Sequence, residues 1–361
     1  MPRRFTMPLI AAAVGLFLLV TACGGQTSPA AVTEPTAAGA APAKTAYPLT
    51  IDNCGTKQTF STPPERVLIL NGTSVGEVES FILLGLEKSI LANGQSYGVS
   101  DDPGMIAKIA ALPKGGLTMN KNFDVPAEQA LALKPDLVVS TWSGGFDASM
   151  GFATREQFAK AGAATLVNPV NCANGKRDAT AAEKATYDAA GIQSSYDFMT
   201  LLGQIFDVQE KAADVVDGLR QRVEAIRSKV DGTEPQKVLI VYPGMSMMNE
   251  NGLPAVMTGG IYDDVIKAGG GVNSFAGKTA DSTRTINAEQ LAAADVDVLV
   301  VGAFTPQEKP DVEAQALMEK FPQWRASKSR TYATVADGVY LGPLNAWAVE
   351  KIAKAAHPDR F

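Results

Sequence analysis

Histidine is almost missing from this chain: His357, four residues from the C-terminal end, is the only one in 361. Zinc and manganese sites built on imidazole are therefore excluded. A Ser-His-Asp or Cys-His centre would have no base unless that terminal residue served it. As a residue of the tail, His357 is expected to lie in solvent. No G-x-S-x-G elbow, H-E-x-x-H helix, phosphate-binding loop or D-x-D-x-D-G calcium loop occurs, and Asp101-Asp102 ahead of Pro103 reads as a solvated turn. An enzyme is not expected. Basic charge is also short, with 32 Lys and Arg against 38 Asp and Glu for a net charge of -6. No basic patch offsets it, which argues against nucleic acid as a partner. Past the N-terminus no apolar run approaches the roughly 20 residues that a membrane-spanning helix needs.

The N-terminus is what the chain has in place of these. Arg3 and Arg4 precede Leu9–Val20, an uncharged apolar run of 12 residues, and Val20-Thr21-Ala22-Cys23 closes it with small side chains. The run is too short to span a bilayer, and its order is that of a secretory signal over residues 1–22. The V-T-A-C ending resembles a bacterial lipobox. That resemblance implies Cys23 as the first mature residue, its sulfur carrying lipid on the extracytoplasmic face of the cell membrane. No other covalently bound cofactor is expected. The rest of residues 23–46 is rich in Ala, Pro, Thr and Gly, a composition that buries no core and reads as a flexible spacer. Cys54 and Cys172 remain, an even pair in an oxidising compartment, and are expected to form a disulfide.

From Tyr47 the pattern is that of an ordered α/β chain. Leu49–Asp52 alternates and Thr59-Phe60 follows Gly55, which predicts a short hairpin. Strand-length apolar runs then alternate with helical spacing: Arg66–Leu70, Ser89–Ala92, Asp136–Val139 and Ala164–Val167 in one half, Lys237–Tyr242, Asp297–Val301 and Gly338–Leu341 in the other. Such alternation implies parallel sheets covered on both faces. Between the halves, Tyr196, Met199, Leu202, Ile205, Ala212, Val216, Leu219, Val223, Ile226 and Val230 keep helical periodicity with no proline. One helix of that length would span on the order of 50 Å. The halves echo each other, since Glu128-Gln129 and Glu289-Gln290 each stand eight residues before the Asp that opens a strand. The reading is two three-layer α/β lobes with parallel sheets (47–192 and 232–361) bridged by one long rigid helix (193–231).

The order PPERVLIL (63–70), LLGL (83–86), ALKPDLVV (132–139), long helix, KVLIVY (237–242), AGGGVN (268–273) and DVDVLVVG (295–302) resembles the substrate-binding proteins of iron-complex and vitamin B12 ABC importers, the class with a helical backbone. The resemblance covers roughly Tyr47–Ala356. It implies a monomer that delivers cargo to a membrane permease with a cytoplasmic ATPase. It also implies a docking carboxylate on each lobe for arginines of the permease. Glu79, six residues before Gly85, and Asp264, six before Gly270, stand at the matching positions.

In open α/β sheets ligands bind outside the carboxyl ends of the strands. Here those ends are 71–74, 95–97 and 141–146 in the first half, and 242–246, 304–305 and 343–347 in the second. Tyr97, Trp142, Tyr242 and Trp347 are the large aromatics there and are expected to line the cleft. Arg284, in a polar turn, is expected to pair with a carboxylate or with the negative charge of a ferric chelate. Met245, Met247 and Met248 read as a loop packed on its lobe. With so little histidine, a metal that arrives already chelated is favoured over a bare ion. A ferric siderophore is the first reading, with cobalamin, haem or another cofactor-sized ligand as the alternative.

Overall fold

The computed structural model describes residues 44–70, 75–95, 99–120 and 125–361. The signal, Cys23, most of the spacer, the 71–74 loop and Tyr97 lie outside them. The first lobe begins with the antiparallel hairpin β1 (Leu49–Asn53) and β2 (Thr56–Phe60). It continues as β3 (Val67–Ile69), α1 (Gly76–Leu83), β4 (Ile90–Asn93), α2 (Pro103–Ala111), α3 (Ala127–Ala132), β5 (Leu137–Ser140), α4 (Arg155–Lys160), β6 (Ala164–Val167) and α5 (Ala181–Asp188). Strands β4-β3-β5-β6 form an all-parallel sheet. Alternate residues of its strands enter different cores: Val67, Ile69, Leu137 and Val139 pack on one face, Leu68, Leu70 and Val138 on the other. Burial on both faces is why these strands read as continuous apolar runs.

After α6 (Ile192–Ile205) and α7 (Gln209–Val230), the second lobe is built from β7 (Gln236–Tyr242), β8 (Ala255–Met257), α8 (Gly260–Ala268), β9 (Gly271–Asn273), α9 (Ala280–Arg284), α10 (Ala288–Ala292), β10 (Val298–Ala303), α11 (Pro310–Lys320), α12 (Arg325–Ser329), β11 (Tyr332–Ala336) and α13 (Asn345–Ala356). Its sheet runs β11-β10-β7-β8 with β9 also beside β7. Only β8 is antiparallel. The last strand is therefore Tyr332–Ala336, and not Gly338–Leu341, which forms a turn with Leu341 at φ 61°.

The single bridging helix is also corrected. The periodic stretch is two helices that fold back on each other. Gly203 faces Ala212 so closely that a Cβ there would meet it at 2.7 Å. Farther along the hairpin, the Arg220 guanidinium lies over the Tyr196 ring. The break falls at Asp207, a non-glycine residue at φ 56°. Its side chain accepts from the Thr45 N–H, while the Thr45 and Tyr47 hydroxyls donate to the Gln204 and Ile205 carbonyls. The chain entering the fold thus satisfies the end of α6, whose last carbonyls have no partner within the helix. The apolar rhythm survived because both helices present an apolar face to the same core. That core takes in Met199, Leu202, Val216 and Val223 of the hairpin and side chains of both sheets. Only α7, about 33 Å long at 1.5 Å per residue, remains as the connecting rod.

The expected disulfide is present between Cys54 and Cys172. It fixes the β1–β2 turn to the loop after β6. Asn53 strengthens the attachment by exchanging two hydrogen bonds with the Val167 backbone. Arg155 adds donors to Asn53 and Thr165, burial holding its guanidinium down to about 10. His357 is not in solvent. It is buried, with Nε2 2.9 Å from the Gly270 carbonyl oxygen and 3.3 Å from Thr233 Oγ1, and so closes the C-terminal end of the chain onto the second lobe.

Candidate functional site

The carboxyl ends of the two sheets meet at one seam, and α1 lies in it. Every residue from Gly76 to Ile82 is buried, including Glu77 and Glu79 in the first turn. Such acids complement the positive end of a helix, but burial without a cation is costly. Glu77 Oε2 accepts from Gln95 Nε2 at 2.8 Å and from Thr141 Oγ1 at 2.6 Å, while Gln95 Oε1 accepts from the Val78 N–H. Asn171 donates to the Thr141 carbonyl and accepts, across the seam, from the Tyr340 hydroxyl at 2.9 Å. Burial raises the Glu77 carboxyl above its usual range.

Beside this network the lobes are joined through carboxyl groups. Glu79, 0% exposed, accepts from Ser100 Oγ at 2.6 Å. Its carboxyl group rests on the turn after β11: a Cβ on Gly338 would stand 3.2 Å from Oε1, and one on Gly342 2.9 Å from Oε2. Asp337, at the carboxyl end of β11, accepts from the Val99 N–H of the first lobe at 3.1 Å. Asp101 accepts from the Ala336 N–H and pairs with Lys351 Nζ at 2.7 Å. Burial pushes Glu79 up to about 8 and Asp337 well above a normal aspartate, with neighbouring acids adding to both shifts.

The sequence expectations divide here. Glu79 is not a docking carboxylate on the surface, because α1 turns it into the seam. Asp264 is about one-third exposed, but its Oδ2 accepts from the Ile192 N–H and its Oδ1 stands 3.7 Å from Arg227, so it caps α6. Asp264→Ala is expected to lower stability by about 0.5–2 kcal/mol, read by urea unfolding. Tyr242 does not line a cleft. It is fully buried, donates to the Ala336 carbonyl and occupies space that only Gly302 leaves free. Trp347 packs under α7, with the Arg222 guanidinium 3.9 Å from its ring centre. Arg284 is exposed and faces Glu250 at 3.7 Å. Trp142 does stand at the carboxyl end of β5, half-buried in a slot left by Gly144 and Gly175. Of the three methionines expected to pack on the lobe, Met245 does so against the core, while Met247 and Met248 are exposed beyond β7.

Asp101 is not a solvated turn residue, and Glu77, Ser100 and Asp337 were not singled out from the sequence. Two glycines four apart behind an Asp, in DGVYLG, were the available signal. The apolar GVYL segment carries the composition of a strand and hides the turn. Among the described residues, no group of three or more His, Cys, Asp or Glu is arranged to hold a metal ion, and no helix is long and apolar enough to cross a membrane.

A profile described as periplasmic binding protein matches residues 73–330. No curated protein sequence matches the chain. Among solved structures, an ABC-type Fe3+-hydroxamate transport system from Saccharomonospora viridis is 23% identical, the match covering 86% of this chain and 99% of that one at a TM-score of 0.63. A periplasmic binding protein from Veillonella parvula is 17% identical, covering 86% and 97% at 0.65. A periplasmic haem-binding protein from Pseudomonas aeruginosa is 18% identical, covering 82% and 93% at 0.58. At these identities the likeness is one of fold.

Proposed function

The chain belongs to the periplasmic binding protein family, and from that premise we propose that it captures a small-molecule cargo between its lobes and delivers it to an ABC permease powered by a cytoplasmic ATPase. The observation that carries this reading is the seam itself. Both sheets direct their carboxyl ends to it, and buried polar side chains of both lobes meet there. Such a position is where open α/β sheets bind ligands. Cys23 supplies the lipid anchor, which keeps the receptor beside its permease on the extracytoplasmic face of the membrane. Of the two carboxylates assigned to docking, only Asp264 reaches solvent.

The cargo is a chelated iron, a ferric siderophore of the hydroxamate kind. The fold neighbour from Saccharomonospora viridis, which carries the Fe3+-hydroxamate description, supports that choice. So does the seam chemistry, which offers hydroxyls, amides and carboxyls in place of imidazole. Trp142 at the end of β5 provides the readout. Titration of the purified protein with ferric hydroxamates, haem and cobalamin is expected to give saturable tryptophan quenching by a ferric hydroxamate at sub-micromolar concentration. Quenching by haem or cobalamin alone would replace the cargo while keeping the receptor. Silence from all three would remove the iron-chelate cargo and point to another cofactor-sized ligand, with the family and fold unchanged.

A further inference from the structure

The strap 99–102, between β4 and α2, ties the two lobes together through alternate residues. Ser100 and Asp102 fasten it to the first lobe: the Ser100 hydroxyl donates to Glu79, and the Asp102 carboxylate accepts from the Gly104 N–H to cap α2. Val99 and Asp101 reach the second lobe. The Val99 N–H donates to Asp337 at 3.1 Å, and Asp101 Oδ1 takes both the Ala336 N–H at 3.1 Å and the Lys351 ammonium at 2.7 Å. The Asp101 side chain is 4% exposed, so salt screens this pair little. Beside the strap the lobes touch through bare backbone. A Cβ on Gly76 would stand 2.9 Å from Gly342 Cα and 3.0 Å from the Leu341 carbonyl oxygen, and Gly338 and Gly342 lie against the Glu79 carboxyl group. Contacts this close leave no room for a chelate at that point, yet the carboxyl ends of the strands are where cargo binds in such sheets. Hydrogen bonds exchange for bonds to water or ligand at a modest net cost, and glycine backbones interlock no side chains. This contact therefore parts more readily than the apolar core of either sheet.

We infer that the 99–102 strap and the Gly76–Gly342 contact form a latch, which closes the ligand-free cleft on itself and which cargo must displace. The inference rests on the receptor reading above and adds a regulation of the same site. Only the unlatched fraction of the protein binds, so the latch lowers the apparent affinity by that fraction. At high ligand concentration, opening of the latch limits the rate of association. Loss of a latch contact therefore tightens binding, whereas loss of a residue that merely supports the cleft weakens it.

Asp101→Ala removes the strap's acceptor for Ala336 and Lys351. Gly76→Ala wedges the backbone contact with a methyl group that α1 itself tolerates. The variants act at different points, and thermal melts confirm that each full-length chain is folded. Hydrogen exchange without ligand reads the latch directly. Peptides over 99–102 and 335–342 are expected to exchange about fivefold faster or more in each variant, with β7 unchanged. Stopped-flow tryptophan quenching by ferrioxamine B, a ferric trihydroxamate, reads the effect on cargo. Observed rates should level off with concentration in the wild type, and each variant should raise that limit and lower the Kd by about threefold or more. Unchanged exchange, or faster exchange with equal or weaker binding in both variants, overturns the inference and leaves the receptor reading in place. Faster exchange with no binding of ferrioxamine B to wild type or variants removes the hydroxamate cargo and keeps the latch.

Discussion

Glu79→Gln is expected to stabilise the ligand-free protein at pH 8 and above, and to flatten its dependence of stability on pH. The Glu79 carboxyl group sits near 8 in the folded chain against 4.5 as its ordinary value, because burial disfavours the carboxylate. A raised carboxyl pKa means that the folded state holds a proton which the unfolded chain has released. Its stabilising effect is therefore complete below about pH 4.5 and is lost as the pH rises toward 8. The slope is about 1.4 kcal/mol per pH unit across that window, several kcal/mol in all. Glutamine keeps the shape and the acceptor for Ser100, and it has no charge to bury. Urea unfolding of wild type and variant at pH 5, 7 and 8.5 should show curves that converge at the acid end and separate at the alkaline end. Parallel curves would mean that Glu79 reaches water and that the seam is more open than the contacts at Gly338 and Gly342 imply. Asp337→Asn should act with the same sign.

Removal of the disulfide is the second large effect. Cys54 and Cys172 are 118 residues apart, so their bond restricts a long segment of the unfolded chain. A bridge over such a loop contributes about 2–5 kcal/mol, with the mechanism dependent on the unfolded-state model. Cys54→Ser combined with Cys172→Ser is expected to lower the Tm by roughly 3–8 °C in a chain of this size. The consequence extends to the seam. Cys172 lies in the loop after β6, its carbonyl accepts from Ser143 Oγ, and the adjacent Asn171 holds Tyr340 of the other lobe. Loosening that loop should weaken cargo binding by more than a change confined to the β1–β2 turn would. An unchanged melting temperature by calorimetry, with the bridge verified in the wild type, would contradict the account.

Much of the fold was legible because the strands are buried on both faces. Val67–Ile69 and Val238–Tyr242 admit no polar residue, and alternation with helical spacing left a parallel α/β arrangement as the natural solution. The disulfide was legible for a different reason: compartment and parity left two cysteines with one use. The helical hairpin was not legible. Gln204–Val208 carries no proline, and what ends α6 is Asp207 in a left-handed conformation with Thr45 supplying donors from about 160 residues away. Periodicity reports which face is apolar, and both arms of the hairpin pack on one core.

The site was less legible than the fold, because side-chain roles at a seam depend on which lobe lies opposite. Glu79 and Tyr242 occupy sequence contexts that suit a surface carboxylate and a cleft aromatic. Packing of α1 against the 337–342 turn buries the first, and the small Gly302 draws the second under β10. The apolar GVYL segment resembles a strand but is the turn after β11, and Asp337 stands directly behind the strand's last residue, Ala336. Trp142 stands where the sequence placed it because it lies two residues past β5 and glycines flank its ring.

The central claim is that cargo binds between the lobes at the carboxyl seam, and hydrogen exchange measured with and without ferrioxamine B tests it most directly. The account predicts that bound chelate slows exchange at 99–102, 141–146 and 337–342, in both lobes together, while the outer helices α11 and α12 exchange as before. Protection confined to one lobe, or found on the outer helices with the seam unchanged, would contradict it.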